Sequence, residues 1–523
     1  MDTVTITQNS KLTSLKGLMG LTDVTNFIQI SSNDLLGSVE GLNNLAQAKH
    51  VTLTGNDNLQ NLTPLKNLKT VSGTLTLGAL PALKSISKLT VTSVGTLSIK
   101  NTGLTTLAGL EGITSLGTLY VEHNDSLVAL TGLDNLKKVD YTANLYNNDE
   151  LPTLQGLNKL AKVGTLSISS NDKLTSIAQL SALTGTIDSA VTIRDNPKLL
   201  ALTGLENITT IKGGLKLYNN AALLDLSGLE GLTTVKGYLE IALNDALTSL
   251  KGLGVTTVGS HLTLSSNPNL IDVTDLKLKG AVGGWLTITN NTSLPSLAGF
   301  ENVTALGTWL NITGNDALTD LDGLQGLKSI ASWVEITDNE LLTSIDGLSG
   351  IKLFKNITIK HNDVLPNVGG LKGGIGQIDG TLTIHSNDML TDLSGLAGFK
   401  SVKYNVDIRQ NDQLSDLNGL HSLQSIGGKL NLLYNPQLTS LNLSSLTSVV
   451  GGIDLRESGL LGDLDGLSSL KGTTGQIALF SPPLSLPAYL PTCLPIYLPS
   501  PSLGPSPAGT SPARANRIDF EAR

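Results

Sequence analysis

The chain has 523 residues, of which only 3% are aromatic and 15% charged, with 55 glycines and a single cysteine. Its formal charge of −8 gives no basic footprint for nucleic acid or an anionic membrane. The lone Cys493 excludes an intrachain disulfide framework and a cysteine-rich zinc site. The length suits several ordinary domains, but so few aromatics and so much glycine predict an aliphatic core punctuated by turns.

In chain order, residues 1–15 read MDTVTITQNSKLTSL, without the basic-then-apolar layout of a signal peptide. They begin in the middle of a repeat at residues 4–9, with no polar cap ahead, although solenoids need terminal caps. The start therefore reads as that of a fragment whose signal peptide would lie upstream. No apolar run reaches the ~18 residues of a membrane helix, so no transmembrane segment is expected.

From there the sequence repeats almost to its end. Residues 310–324 (LNITGNDALTDLDGL), 334–348 (VEITDNELLTSIDGL) and 382–396 (LTIHSNDMLTDLSGL) share one unit. An asparagine marks the rungs from Asn9, Asn33 and Asn56, through Asn101 and Asn124, to Asn411 and Asn435, in steps of 22 to 25 residues. One rung near Leu80 lacks it, and a degenerate rung follows at Ser458. L-x-I alternation predicts a strand with Leu and Ile inward and the residues between them in solvent. The Asn ends the strand and bonds turn backbone. Gly323, Gly347, Gly395 and Gly419 mark corners that a side chain would obstruct. One coil cannot bury its own apolar side, but stacked coils share a core. The prediction is an all-β or β-rich solenoid over residues 1–480, with about twenty coils and a parallel sheet along each side of the rod.

Acids follow many of the ladder asparagines, among them Asp125, Asp149, Asp316 and Asp388. They read as solvated turn acids, with a calcium-collecting column as the rival reading. The outward strand positions are rich in Ser and Thr, which suit solvent-facing strands. All three tryptophans, Trp285, Trp309 and Trp333, recur at one outward repeat position 24 residues apart, with Tyr238 and His261 in the two coils before them. Five rungs at strand spacing predict an aromatic strip about 19 Å long, flanked by the polar face of Thr263, Thr287, Thr289, Thr313 and Thr337. Such a strip either stacks for structural reasons or offers aromatic faces to a sugar or a protein partner. Nine N-x-S/T sequons occur, about the number expected by chance, at Asn61, Asn124, Asn207, Asn290, Asn291, Asn302, Asn311, Asn356 and Asn442.

The six histidines have no metal-ligand spacing, and no nucleophile elbow, phosphate loop or dinucleotide fingerprint appears. No catalytic residue, metal or cofactor is expected. Asp407 with Arg409, and Asp454 with Arg456, read as surface ion pairs. Residues 481–523 hold ten of the eighteen prolines. That spacing forbids helix and central strand and predicts a disordered linker or wall-type stalk, with a cap over the last coil or a wrong reading frame as the alternatives.

The pattern L-x-x-V/I-x-G-x-L-x-I-x-x-N-x-x-L-x-x-L-x-G-L, matched in one stretch by residues 324–348, resembles the receptor L-domain, a leucine-rich-repeat-like right-handed β-helix. That resemblance implies extracellular ligand binding or a surface and wall role. It departs from the family in length and in having no bracketing disulfides. Bacterial-type leucine-rich repeats are the nearest rival fold. The expectation is a non-enzymatic extracellular or cell-surface recognition or adhesion protein for a glycan or protein ligand, with no nucleic-acid partner. A structural wall component and, further off, a carbohydrate-active β-helix enzyme are the alternatives.

Overall fold

The computed structural model describes residues 1–478 and 496–497. Within them the chain is a leucine-rich-repeat-like parallel β-solenoid of about twenty coils. One 23-stranded sheet follows the whole rod. Strand Thr3–Thr7 pairs with Asp23–Ser31, that with Gln47–Thr54, and so on coil by coil to Ile453–Asp454 and Ile477–Ala478, always parallel. A step of one coil keeps inward residues in column, as in Leu262, Leu286, Leu310 and Val334.

The prediction of a parallel sheet on each side holds for the second side, in separate pieces, and not for the third. A second side carries shorter sheets of four, three and five strands. In the first third it merges with the main sheet, through long strands that shift register at the corner, as between Val71 and Thr74. Among the described residues the third side carries no strand, only isolated parallel bridges such as Asn367 with Asp392, and single 3-10 turns such as Asp322–Leu324, Asp346–Leu348 and Ser394–Leu396. The cause lies two residues upstream. Asp320 Oδ1, Ser344 Oγ and Asp392 Oδ1 each accept the backbone N–H that opens the turn, at 3.0, 3.1 and 2.7 Å, which bends the chain before a third strand can extend.

One coil shows how the core is filled: Leu310, Ile312, Leu318, Leu321, Leu324, Leu327 and Ile330 all point inward and are buried. Corner glycines set the closeness of the coils. A Cβ on Gly323, Gly347, Gly395 or Gly419 would overlap the backbone carbonyl of the coil before it.

Sixteen ladder asparagines, from Asn33 to Asn435, are wholly buried. Asn291 is typical. Its backbone N–H and Nδ2 both donate to Asn315 Oδ1 (3.2 and 3.3 Å), and Nδ2 also donates to the carbonyls of Leu264 (3.0 Å) and Thr289 (3.2 Å). One rung corrects the sequence reading. Asn101 is exposed and left-handed (φ 51°), and the buried ladder residue is Thr102, whose N–H and hydroxyl donate to Asn124 Oδ1 at 3.1 and 2.7 Å. The residue ahead of each ladder position turns the corner with positive φ, and Asn tolerates that conformation. Asn147, Asn219 and Asn290 do the same ahead of true ladder residues. In the rung without Asn, Leu80 takes the ladder position and Ala79 the corner, and Ser458 closes the last rung by donating to the Leu432 carbonyl at 3.2 Å.

The Pro-rich segment lies outside the described residues apart from Ile496–Tyr497, which pairs in parallel with Ile477–Ala478. No helix among the described residues is long and apolar enough to cross a membrane.

Candidate functional site

The aromatic column forms where the second side turns into the main sheet. Gly237, Gly259, Gly283 and Gly307 occupy that corner in successive coils, and a Cβ on any of them would crowd or overlap the preceding coil's backbone. This close approach delivers the next side chains in register. Tyr238, His261, Trp285, Trp309 and Trp333 stack with centroids 5.2, 3.9, 4.4 and 5.2 Å apart and planes within 13° of parallel. All five are half-buried. The Tyr238 ring covers Gly214, where any Cβ would collide with it. At the other end Trp333 is in register with Asn356, whose Oδ1 accepts the N–H and hydroxyl of Thr381 at 2.9 and 3.2 Å.

The sequence placed these residues together and outward, but not the orientation of the rings. Neighbours one coil apart and nearly parallel cover one another's faces, so the surface shows ring edges. The expectation of faces free to take a sugar ring fails for the interior of the stack. What the edge offers is polar: no hydrogen bond among the described residues engages the indole N–H of Trp285, Trp309 or Trp333, and none of these groups is sealed from solvent. His261 sits between Tyr238 and Trp285 with its pKa lowered by burial, against a smaller opposing pull from Glu240. A neutral imidazole suits that stack.

Beside the ladder, Thr263, Thr287, Thr289 and Thr313 line the outer face, half-exposed. Thr337 does not join them as an accessible group. It is 2% exposed, and its hydroxyl meets that of Thr313 at 2.9 Å, between Thr313 and Lys360 in register. Thr289 donates to Ser265 at 2.9 Å, while Thr263 and Thr287 keep their hydroxyls clear of any hydrogen bond among the described residues. Glu240 pairs with Lys216 at 2.8 Å, and Lys216 lies over the Tyr218 ring.

The expected pairs form, Asp407 with Arg409 at 3.2 Å, and Asp454 held by two Arg456 nitrogens and Lys429, each at 2.8 Å, but Asp454 is buried rather than at the surface. Burial pushes Asp454 up, but those three donors outweigh it and hold the carboxyl below its usual range. The turn acids behave oppositely. Burial first, then neighbouring carboxylates, raises Asp149, Asp316 and Asp388. Among the described residues no group of three or more His, Cys, Asp or Glu side chains is placed to hold a metal.

Two predictions arise here. His385 has its pKa lowered to about 4 by burial, then by Arg409, His361 and Lys360. The folded state therefore disfavours the imidazolium, while the unfolded chain protonates near pH 6.5. The contribution is present above pH 6.5 and lost as pH falls toward 4. Denaturant titrations at pH 7 and 4.5 are expected to show a smaller acid loss in His385→Gln than in the wild type. A loss of equal size would refute the assignment. The second concerns glycans. Asn124 and Asn291 are 0% exposed and bonded within the ladder, so a glycan on either would keep its rung from closing. Folded protein from a glycosylating host is expected to carry none there by peptide mass spectrometry, whereas Asn61, Asn207 and Asn302 are exposed and open to occupancy.

No family model matches the chain, and no curated protein matches it. Solved structures do. The chain is similar to an internalin from Listeria monocytogenes, with 15% identity and a TM-score of 0.21 over 83% of this chain and 88% of that one. It is also similar to the TLR13–ssRNA13 complex, with 15% identity and a TM-score of 0.19 over 90% of this chain and 86% of that one.

Proposed function

We propose that this solenoid is a non-catalytic recognition or adhesion protein, acting outside the cell or at its surface, that presents the main sheet to a glycan or protein ligand. The observation that carries the reading is the half-exposed aromatic ladder, with unengaged indole N–H groups beside hydroxyl-bearing columns. The resemblance to receptor L-domains supports the extracellular setting and the ligand-binding role. Because ring faces are used up within the stack, the favoured ligand is extended and rich in acceptors, lying along the rod so that its oxygens meet indole N–H donors and Thr hydroxyls. Rigid coils hold these groups at fixed spacing, so little conformational entropy is lost on binding.

The structural alternative, a wall component in which the rod itself is the function, is favoured by one observation, the sheet that runs the full length of the rod. A combined glycan and peptide array separates the two. Trp285→Ala/Trp309→Ala/Trp333→Ala is expected to lose at least about tenfold in affinity for a ligand that wild type binds, from three interface aromatics at about 0.5–2 kcal/mol each. Full retention of every ligand by that variant would sink the ladder as the site. Absence of any ligand, with intact association to isolated walls, would favour the structural alternative.

A further inference from the structure

The second side of the rod has a gap. From Ile330 to Val334 and from Ile378 to Leu382 the corner takes four residues, but from Phe354 to Ile357 it takes three. Strand Ser329–Ile330 ends the three-stranded sheet and Gly376–Ile378 begins the next, with no strand between them. Bonds do link the coils on either side. Ala331 N–H reaches the Leu306 carbonyl and Ser332 N–H that of Thr308, at 3.2 and 2.7 Å, while Ile375 and Asp379 bond the carbonyls of Lys352 and Phe354, each at 3.1 Å. Between residues 328–332 and 352–355 there is no such bond among the described residues.

A cavity of about 440 Å³ opens at this gap, within the size range of small-molecule sites. Its floor is apolar, from Leu306, Ile330 and Phe354, all buried. Leu353 stands at its edge, 69% exposed, an uncommon place for so large an aliphatic group. Its rim is cationic. Lys352 and Lys355 form no ion pair among the described residues, and the Lys328 ammonium donates only to the Gln325 carbonyl, at 3.1 Å. The one acid in the lining, Asp379, is held by Lys403 at 2.9 Å. Lys355 also acts on the Asp379 carboxylate, but the lining holds three lysines against that one acid, and in a chain of net charge −8 an apolar cavity with an excess of lysine selects for a complementary charge.

We propose that this gap is a binding site for a small amphipathic organic anion, an aryl or alkyl group seated on Leu306, Ile330, Leu353 and Phe354 with its carboxylate or sulfonate against Lys352 and Lys355. The site lies on the second side, apart from the aromatic ladder's outer face, and does not depend on what that ladder binds. Trp333 is two residues along the chain from the lining residue Ala331, which provides a donor for energy transfer to a fluorescent occupant.

The test is fluorescence titration of the full chain with 1-anilinonaphthalene-8-sulfonate and with N-phenyl-1-naphthylamine, its uncharged counterpart. The sulfonate is expected to bind at one site per chain, with emission sensitised by tryptophan excitation, and the uncharged compound about tenfold more weakly. Lys352→Glu/Lys355→Glu should weaken the sulfonate about tenfold or more without changing affinity for the uncharged compound. Lys352→Gln/Lys355→Gln should give a smaller loss, and Lys84→Glu/Lys88→Glu, far along the rod, none. Equal affinity for the two compounds, wild-type sulfonate affinity in the charge-reversed pair, or no saturable binding would each overturn the proposal.

Discussion

Asn315→Ala is expected to lower stability by about 3–5 kcal/mol. The side chain is wholly buried and works in both directions along the stack. Its Nδ2 donates to the carbonyls of Ile288 (2.9 Å) and Thr313 (3.2 Å) and to Asn339 Oδ1 (3.3 Å), while its Oδ1 accepts from the backbone and side chain of Asn291, at 3.2 and 3.3 Å. Alanine withdraws a donor from buried carbonyls and an acceptor from a buried N–H. Each group left without a partner costs about 1–3 kcal/mol, so two or three of them exceed the effect of most single substitutions. In a quasi-one-dimensional array the loss falls on one interface between coils. The unfolding transition should therefore broaden or split as well as shift, and hydrogen exchange should rise first around residues 288–315. Asn101→Gly is the control. That residue is exposed at a left-handed corner, where glycine is at ease, and the midpoint should move by no more than about 0.5 kcal/mol. Equal effects at the two positions would overturn the assignment of Thr102 and Asn124, rather than Asn101, to the ladder.

Gly347→Ala should be as damaging for a different reason. Its Cβ would overlap the carbonyl oxygen of Leu321 in the coil before. The obstructing atom is backbone, so relief requires two coils to part along a sheet whose spacing is fixed by hydrogen bonds at every other position. Overpacking against side chains costs about 1–3 kcal/mol, and against fixed backbone the expected loss is about 3 kcal/mol or more. Gly17→Ala separates this from the general effect of removing a glycine. Nothing lies within 4 Å of the added carbon there, and the backbone is not in the left-handed region. Stability should hold or rise by up to about 1 kcal/mol, through a less flexible unfolded chain. Matching losses at Gly347 and Gly17, read from denaturant midpoints, would contradict the close approach of the coils.

The strands were legible because alternation is a property of the backbone: L-x-I in LNIT or LTIH has only one face to bury. The corner glycines were legible for a similar reason, since a Gly that recurs between inward leucines marks a place with no room for a Cβ. What the sequence left open were features set between coils rather than within one. Asn101 and Thr102 are adjacent, both positions accept Asn elsewhere in the array, and only the neighbour Asn124 decides which of them faces inward. The third side was expected as a sheet because its leucines recur, yet Asp320 and its equivalents close a turn there by accepting an N–H two residues on. The aromatic residues were correctly placed in one column, but a column does not specify ring orientation. That orientation came from coil spacing near the stacking distance of aromatic rings, and it turned the candidate surface from faces to edges and N–H donors. The gap at residues 352–355 coincides with a corner shorter than those on either side, but equally short corners at 94–97 and 163–166 belong to coils that pair there, so the sequence alone does not mark it. Its consequence, a break in the hydrogen bonds of one side only, needed the neighbouring coils in place.

Every tryptophan of the chain lies in the ladder, so tryptophan emission reports on that column and, through Trp333, on the gap next to it, while Trp309 reports on the ladder's interior. The most direct measurement is therefore to follow tryptophan emission while titrating the array-selected ligand, alongside calorimetry for affinity. If the ladder is the recognition surface, emission shifts saturably with the calorimetric dissociation constant, and the shift is reduced in Trp309→Phe. A ligand that binds by calorimetry while tryptophan emission stays unchanged would contradict the account.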